Sequence, residues 1–92
     1  MFVWDEAKRR RVIKEHKVDF ALLIDAFDDV FGVYFEDFEH STDDETRFNL
    51  IGFSARYGLV YITFTYENND VRLITAWKAE KWMVTEYEQY KK

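Results

Sequence analysis

The chain contains no cysteine, no proline and only three glycines in 92 residues. Without cysteine, neither a disulfide framework nor a thiolate metal site can form, and the composition fits a reducing cytoplasm. Without proline, and with glycine scarce, the elements should run uninterrupted and be joined by short turns. No apolar run is long enough to span a membrane, and no signal-peptide pattern opens the chain, so no membrane partner is expected. A glycine-rich phosphate loop, a nucleophile elbow and a dinucleotide fingerprint are also missing. The two histidines, His16 and His40, lack a histidine or cysteine partner at ligand spacing. Neither a metal nor another cofactor is expected. The Asp43–Asp44 pair reads as solvated charge in a polar turn, which leaves a hydrolase built on paired carboxylates without support.

Aromatic residues are what the chain has in abundance. Nine Phe, six Tyr and three Trp make up 20% of it. Large rings let a short chain bury much apolar surface with few residues, and residues 1–92 read as one α+β domain. The net charge of −5 is unevenly distributed. Residues 8–17 hold six bases against one acid, residues 19–45 hold ten acids and no Lys or Arg, and residues 46–92 hold seven bases against five acids. The acidity is local, so a basic helix and a mildly basic sheet remain free to face an anion.

Phe2-Val3-Trp4 is a short apolar lead, a brief strand or an anchor onto the core. Asp5 suits a helix N-cap, with Glu6 near the positive helix end, and the helix should reach Glu15 or His16. Its apolar side is thin, chiefly Ala7, Val12 and Ile13. Asp19 suits a second N-cap, after which Phe20, Leu23, Ile24 and Phe27 fall at i, i+3, i+4 and i+7 and predict a second helix. Val30–Phe38 and Thr46–Ser54 alternate as strands. Val60, Ile62 and Phe64 alternate with Tyr61, Thr63 and Thr65, and Val71–Trp77 follows the polar turn Glu67–Asp70, so Gly58–Ala79 should form an antiparallel hairpin. Ala79, Trp82, Met83, Tyr87 and Tyr90 repeat at helical spacing. The expectation is a four-stranded antiparallel sheet with two N-terminal helices and one C-terminal helix.

Three features carry possible chemistry. Lys8-Arg9-Arg10-Arg11 suits phosphate contact, although a solvated helix face with Asp5 and Arg9 paired at i, i+4 is the commoner meaning of such a run. Aromatic side chains stack unpaired bases, although in a small domain most of them belong to the core. His16, at the end of a basic helix, suits proton transfer, although a histidine there more often caps the helix.

Several spaced motifs together resemble one family. Phe2-Val3-Trp4-Asp5-Glu6-Ala7-Lys8 looks like the F-x-W-D-x-x-K opening of BrnT-type toxins. Glu15-His16-Lys17-Val18-Asp19-Phe20 resembles the family's K-H-G-V-x-F element, with Phe27 in the following helix. Glu45-Thr46-Arg47 with Ile51-Gly52 is similar to its E-x-R…I-G strand, and Arg72–Ala79 to its R-I-I-S-A-R-x-A strand, while Tyr87 fits the closing helix. The resemblance implies a RelE-like fold and an endoribonuclease that inhibits translation. It also implies a cognate antitoxin of ribbon-helix-helix type in a toxin–antitoxin hetero-oligomer. The implied chemistry is attack of an RNA 2′-hydroxyl on its neighbouring phosphate, served by a base, an acid and cations. On this resemblance Arg47, Arg72, Lys78 and His16 are the catalytic candidates, and Lys8, Tyr66 and Trp77 the RNA contacts.

Two family arginines are replaced. Phe64-Thr65 is followed by Tyr66-Glu67, and Trp77 stands where arginine follows S-A. At ~2–4 kcal/mol per cation in the transition state, the joint loss would slow cleavage on the order of a thousandfold or more. Strict alternation would also separate Trp77 from Arg72 and Lys78. The alternative that this implies is a non-catalytic interaction module on the same fold, whose acidic middle block meets a basic antitoxin or another basic partner.

Overall fold

The computed structural model describes residues 1–91. Helix α1 spans Glu6–His16. Asp5 caps it as expected, its carboxylate accepting from the Ala7 and Lys8 amides at 2.8 and 3.2 Å. The helix stops at Lys17, whose φ of 62° puts it in the left-handed region. Arg9 does not pair with Asp5. Its Nε and Nη2 instead bind the two Asp19 oxygens at 2.8 and 2.9 Å, tying α1 to the segment that follows.

The second predicted helix does not form. Phe20–Leu22 and Ile24–Asp28 are two 3₁₀ turns, separated at Leu23. The apolar spacing is right, and Phe20, Leu23 and Ala26 are fully buried, but the segment's aspartates are committed elsewhere. Asp19 accepts from the Ala21 amide, Asp25 from the Ala55 amide, and Asp29 from the Phe31 and Phe53 amides. Such side-chain bonds compete with helix propagation, and Asp28 and Asp29 would also sit at the negative end of a helix. Gly52 completes the arrangement. A Cβ there would lie 2.9 Å from the Ala26 carbonyl oxygen, so the 3₁₀ turn can rest on the sheet only above a glycine.

The sheet has five strands, not four, and is mixed rather than antiparallel: β1 (Phe2–Val3), β2 (Val33–Glu36), β3 (Arg47–Ser54), β4 (Gly58–Glu67) and β5 (Asp70–Lys78), in the order β1-β5-β4-β3-β2. The added strand is the apolar lead, with Phe2 opposite Val71 and Val3 opposite Arg72 in parallel register. The Gly58–Ala79 hairpin forms around Asn68 and Asn69, both at positive φ. Its strands are not in simple register. Thr63 pairs with Thr75 and Phe64 with Leu73, so Ile74 is an extra residue, a β-bulge.

Helix α2 spans Lys81–Tyr90 and lies on the face opposite α1. On the α1 face, Val12, Phe20, Leu23 and Ala26 pack onto Leu50, Ile62, Phe64, Leu73 and Ala76 as one core. On the α2 face, Met83 and Tyr87 cover Ile51 and Tyr61. Tyr87 anchors the helix by donating from its hydroxyl to Asp29 at 2.7 Å. Among the described residues, no helix is long and apolar enough to cross a membrane.

Candidate functional site

Alternation along β3 and β4 sends Arg47, Asn49, Thr63 and Thr65 to the α2 face, where Arg47 stands opposite Thr65 and Asn49 opposite Thr63. These positions lie beyond the patch that α2 covers. Asn49, Thr63 and Thr65 are nevertheless buried, and their polar atoms pair within the sheet. The Thr63 hydroxyl donates to Asn49 Oδ1 at 2.7 Å and the Thr65 hydroxyl to the Thr46 carbonyl at 2.6 Å.

The bulge at Ile74 decides what β5 contributes. Arg72 pairs with Thr65, Thr75 with Thr63 and Trp77 with Tyr61, so all three share the face of Arg47. Uninterrupted alternation would have separated Arg72 from Trp77; the extra residue reunites them. It also parts Arg72 from Lys78, which pairs with Val60 on the α1 side of the sheet and is exposed.

A cleft of about 330 Å³ results, with Arg47, Thr63 and Trp77 on its sheet side and His40 on the loop before β3. Trp77 packs against Tyr61 with centroids 4.9 Å apart and rings tilted by 32°, and the His16 ring lies 5.5 Å from Trp77. Burial, reinforced by the charges of Asp37 and Glu80, pushes the Tyr61 phenol up to about 12, so it serves as a protonated wall rather than as a base. Both arginines on this face hold glutamates. Arg47 Nε binds Glu45 at 2.7 Å and Arg72 Nη2 binds Glu67 at 2.8 Å. Among the described residues, Arg72 Nε is buried without a hydrogen-bond partner.

The loop that carries His40 is braced. Asp37 N donates to the Arg47 carbonyl at 2.8 Å, the Ser41 hydroxyl donates to the Asp37 carbonyl at 2.7 Å, and Arg47 N donates to Ser41 Oγ at 2.9 Å. His40 Nδ1 lies 2.9 and 3.1 Å from the two Asp37 carboxylate oxygens.

The candidates from the sequence are therefore divided. Arg47 and Trp77 line the cleft, His16 touches its Trp77 end, and Arg72 shares the face on the far side of Thr65. Tyr66 lies on the other face against Phe48 and Phe64, at 5.5 and 5.7 Å, and is exposed. Lys8 sits in the first turn of α1, eight residues and roughly 12 Å of helix from His16. His40 and Asp37 carried no signal as a metal pair.

Comparison with known proteins bears on the family and the fold. A family model described as "Ribonuclease toxin, BrnT, of type II toxin-antitoxin system" matches residues 4–82. The crystal structure of the Brucella abortus ribonuclease toxin BrnT superposes with a TM-score of 0.68 at 25% identity, covering 88% of this chain and 99% of that one. No curated protein matches by sequence. With most of its length matched in sequence and in fold, the chain belongs to the BrnT family of ribonuclease toxins of type II toxin–antitoxin systems.

Proposed function

We propose that this chain cleaves single-stranded RNA in the Arg47–Trp77 cleft, by attack of a 2′-hydroxyl on the adjacent phosphate. One observation carries the proposal: the bulge at Ile74 sets a stacking ring, Trp77 on Tyr61, and two arginines on one open face. Arg47 supplies positive charge to the phosphoryl oxygens, and its ion pair with Glu45 engages Nε, so the Nη groups are the ones offered to phosphate. Arg72 extends the same charge along the face. Trp77 stacks a base, and His16 supports that ring and can exchange protons at that end of the cleft. Lys8 and Tyr66 act only as contacts to flanking RNA, outside the cleft, and Lys78, on the α1 side of the sheet, takes no part. The test is incubation of the purified chain, at micromolar concentration, with single-stranded RNA. Fragments ending in a cyclic phosphate are expected; intact RNA refutes the reading.

Membership of the family implies an antitoxin partner and an RNA substrate. We assign the antitoxin to the groove between β2 and α2, about 570 Å³ in volume, around Phe31, Phe35, Trp82 and Tyr90. These rings are exposed, and β2 is the outer strand with one edge unpaired. The acid Glu86 lines the groove beside them, which suits a basic, apolar-anchored segment rather than RNA. A ribbon-helix-helix antitoxin, a toxin–antitoxin hetero-oligomer and a cytoplasmic site of action complete the proposal. Trp82→Glu should abolish binding of the protein encoded beside this chain; unchanged binding, or self-association through the groove instead, refutes the assignment.

A second reading is favoured by the two glutamates that hold Arg47 and Arg72. In it the chain binds its antitoxin without cleaving RNA. Antitoxin binding combined with no growth arrest on expression of the chain alone would select this reading.

A further inference from the structure

We infer that His40 is the proton-transfer group of the cleft and that Asp37 is the residue that positions it. The inference rests on the ribonuclease reading above. Asp37 places both carboxylate oxygens within 3.1 Å of His40 Nδ1, and its side chain is only 12% exposed, whereas that of His40 is 62% exposed. A carboxylate accepts only, so Nδ1 carries the hydrogen and Nε2 is the basic nitrogen left for a ligand. This is the tautomer a general base needs. The same carboxylate fixes the orientation of the ring, as an orienting aspartate does beside a catalytic histidine.

The surroundings distinguish this pair from an ordinary turn contact. Asp37 and Arg47 are paired through their backbones, and Ser41 ties both ends of the loop, so His40 and Arg47 are held as one unit. His40 lines the cleft beside Arg47, with Glu39 and Asp37 as the acids and Tyr61 as the protonated neighbour. A phosphate held by Arg47 would thus lie next to the base rather than at the Trp77 end, where His16 sits.

The step balances as follows. Nε2 of His40 takes the 2′-hydroxyl proton as the O2′–P bond forms and the P–O5′ bond breaks. The leaving 5′-oxygen takes a proton from water, and the imidazolium returns its proton to solvent. The products are a 2′,3′-cyclic phosphate and a 5′-hydroxyl.

The experiment measures cleavage of a single-stranded RNA oligonucleotide across pH for the purified parent, His40→Ala, Asp37→Asn and His16→Ala, with the fold of each checked by circular dichroism. His40→Ala should lose roughly 100-fold or more in kcat, lose the limb of the pH profile that reports the base, and regain activity with added imidazole. Asp37→Asn should keep KM, lower kcat by less than His40→Ala does, and displace that limb. A folded His40→Ala that cleaves within threefold of the parent, with the same pH profile, overturns the inference and leaves the ribonuclease reading standing. If activity and limb follow His16 instead, the inference is likewise overturned. A folded parent that leaves the RNA intact at every pH overturns both.

Discussion

On the face of the sheet turned to α1, the buried central positions of β3, β4 and β5 are apolar, Leu50, Ile62, Phe64, Leu73 and Ala76, with the polar Ser54 and Lys78 only at the strand ends. On the face turned to α2, Ile51 and Tyr61 give way along the same strands to Asn49, Arg47, Thr63 and Thr65. Length explains part of the contrast. A ten-residue helix is about 15 Å long, whereas a ten-residue strand such as β4 is about 34 Å, so α2 cannot cover its face. The uncovered part stays polar and becomes the cleft. A face sealed by a continuous core supplies stability, and a face left half open supplies the site.

Breaking the sealed face should have the largest effect. Phe64 is 1% exposed and packs its ring on Phe27 at 5.1 Å and Phe48 at 5.8 Å. Phe64→Ala should cost about 3–5 kcal/mol, read from denaturant unfolding. Arg47→Ala on the open face should leave the unfolding midpoint nearly unchanged. It should slow RNA cleavage by ~2–4 kcal/mol of transition-state energy, read as kcat/KM. Gly52→Ala tests the closeness of the sealed layer. The Ala26 carbonyl must retreat, at about 1–3 kcal/mol by the same unfolding measurement.

Acid should separate the layers more gently. Arg9, and with it the Ala21 amide, holds the Asp19 carboxyl below its ordinary 3.8 despite burial. Burial pushes Asp29 up, but Tyr87 and the Phe31 and Phe53 amides outweigh it and hold that carboxyl below 3.8 as well. A carboxyl depressed in the folded state stabilises the fold above its unfolded value, and that stability is lost as pH falls through the folded value. The melting temperature should therefore drop below about pH 4, and Asp29→Asn, which also weakens the hold on α2, should flatten the drop.

Much of this was legible in the sequence. Asp5 marked the start of α1, the alternation in β3 and β4 identified both faces, and the asparagine turn fixed the hairpin. The segment after Asp19 was misread because apolar spacing reports which side is buried, not which backbone bonds the aspartates will take. Phe2-Val3 gained its partner only through parallel pairing at long range, which leaves no local pattern. Arg47 and Trp77, both named as candidates from the sequence, line one cleft, but alternation put Trp77 and Arg72 on opposite faces. One bulged residue, Ile74, reversed that placement and moved Lys78 away, and nothing in the residue types of β5 announces it. His40 was passed over because only its fixed distance from Asp37, a product of the folded loop, gives it a role.

The central claim is that chemistry belongs to the half-open face. Initial rates of single-stranded RNA cleavage by Arg47→Ala and Lys78→Ala, measured side by side, test it most directly, since the two cations lie on opposite faces of the sheet. The account predicts a loss on the order of 100-fold for Arg47→Ala and a change within about twofold for Lys78→Ala. Equal losses, or a larger one for Lys78→Ala, would contradict it.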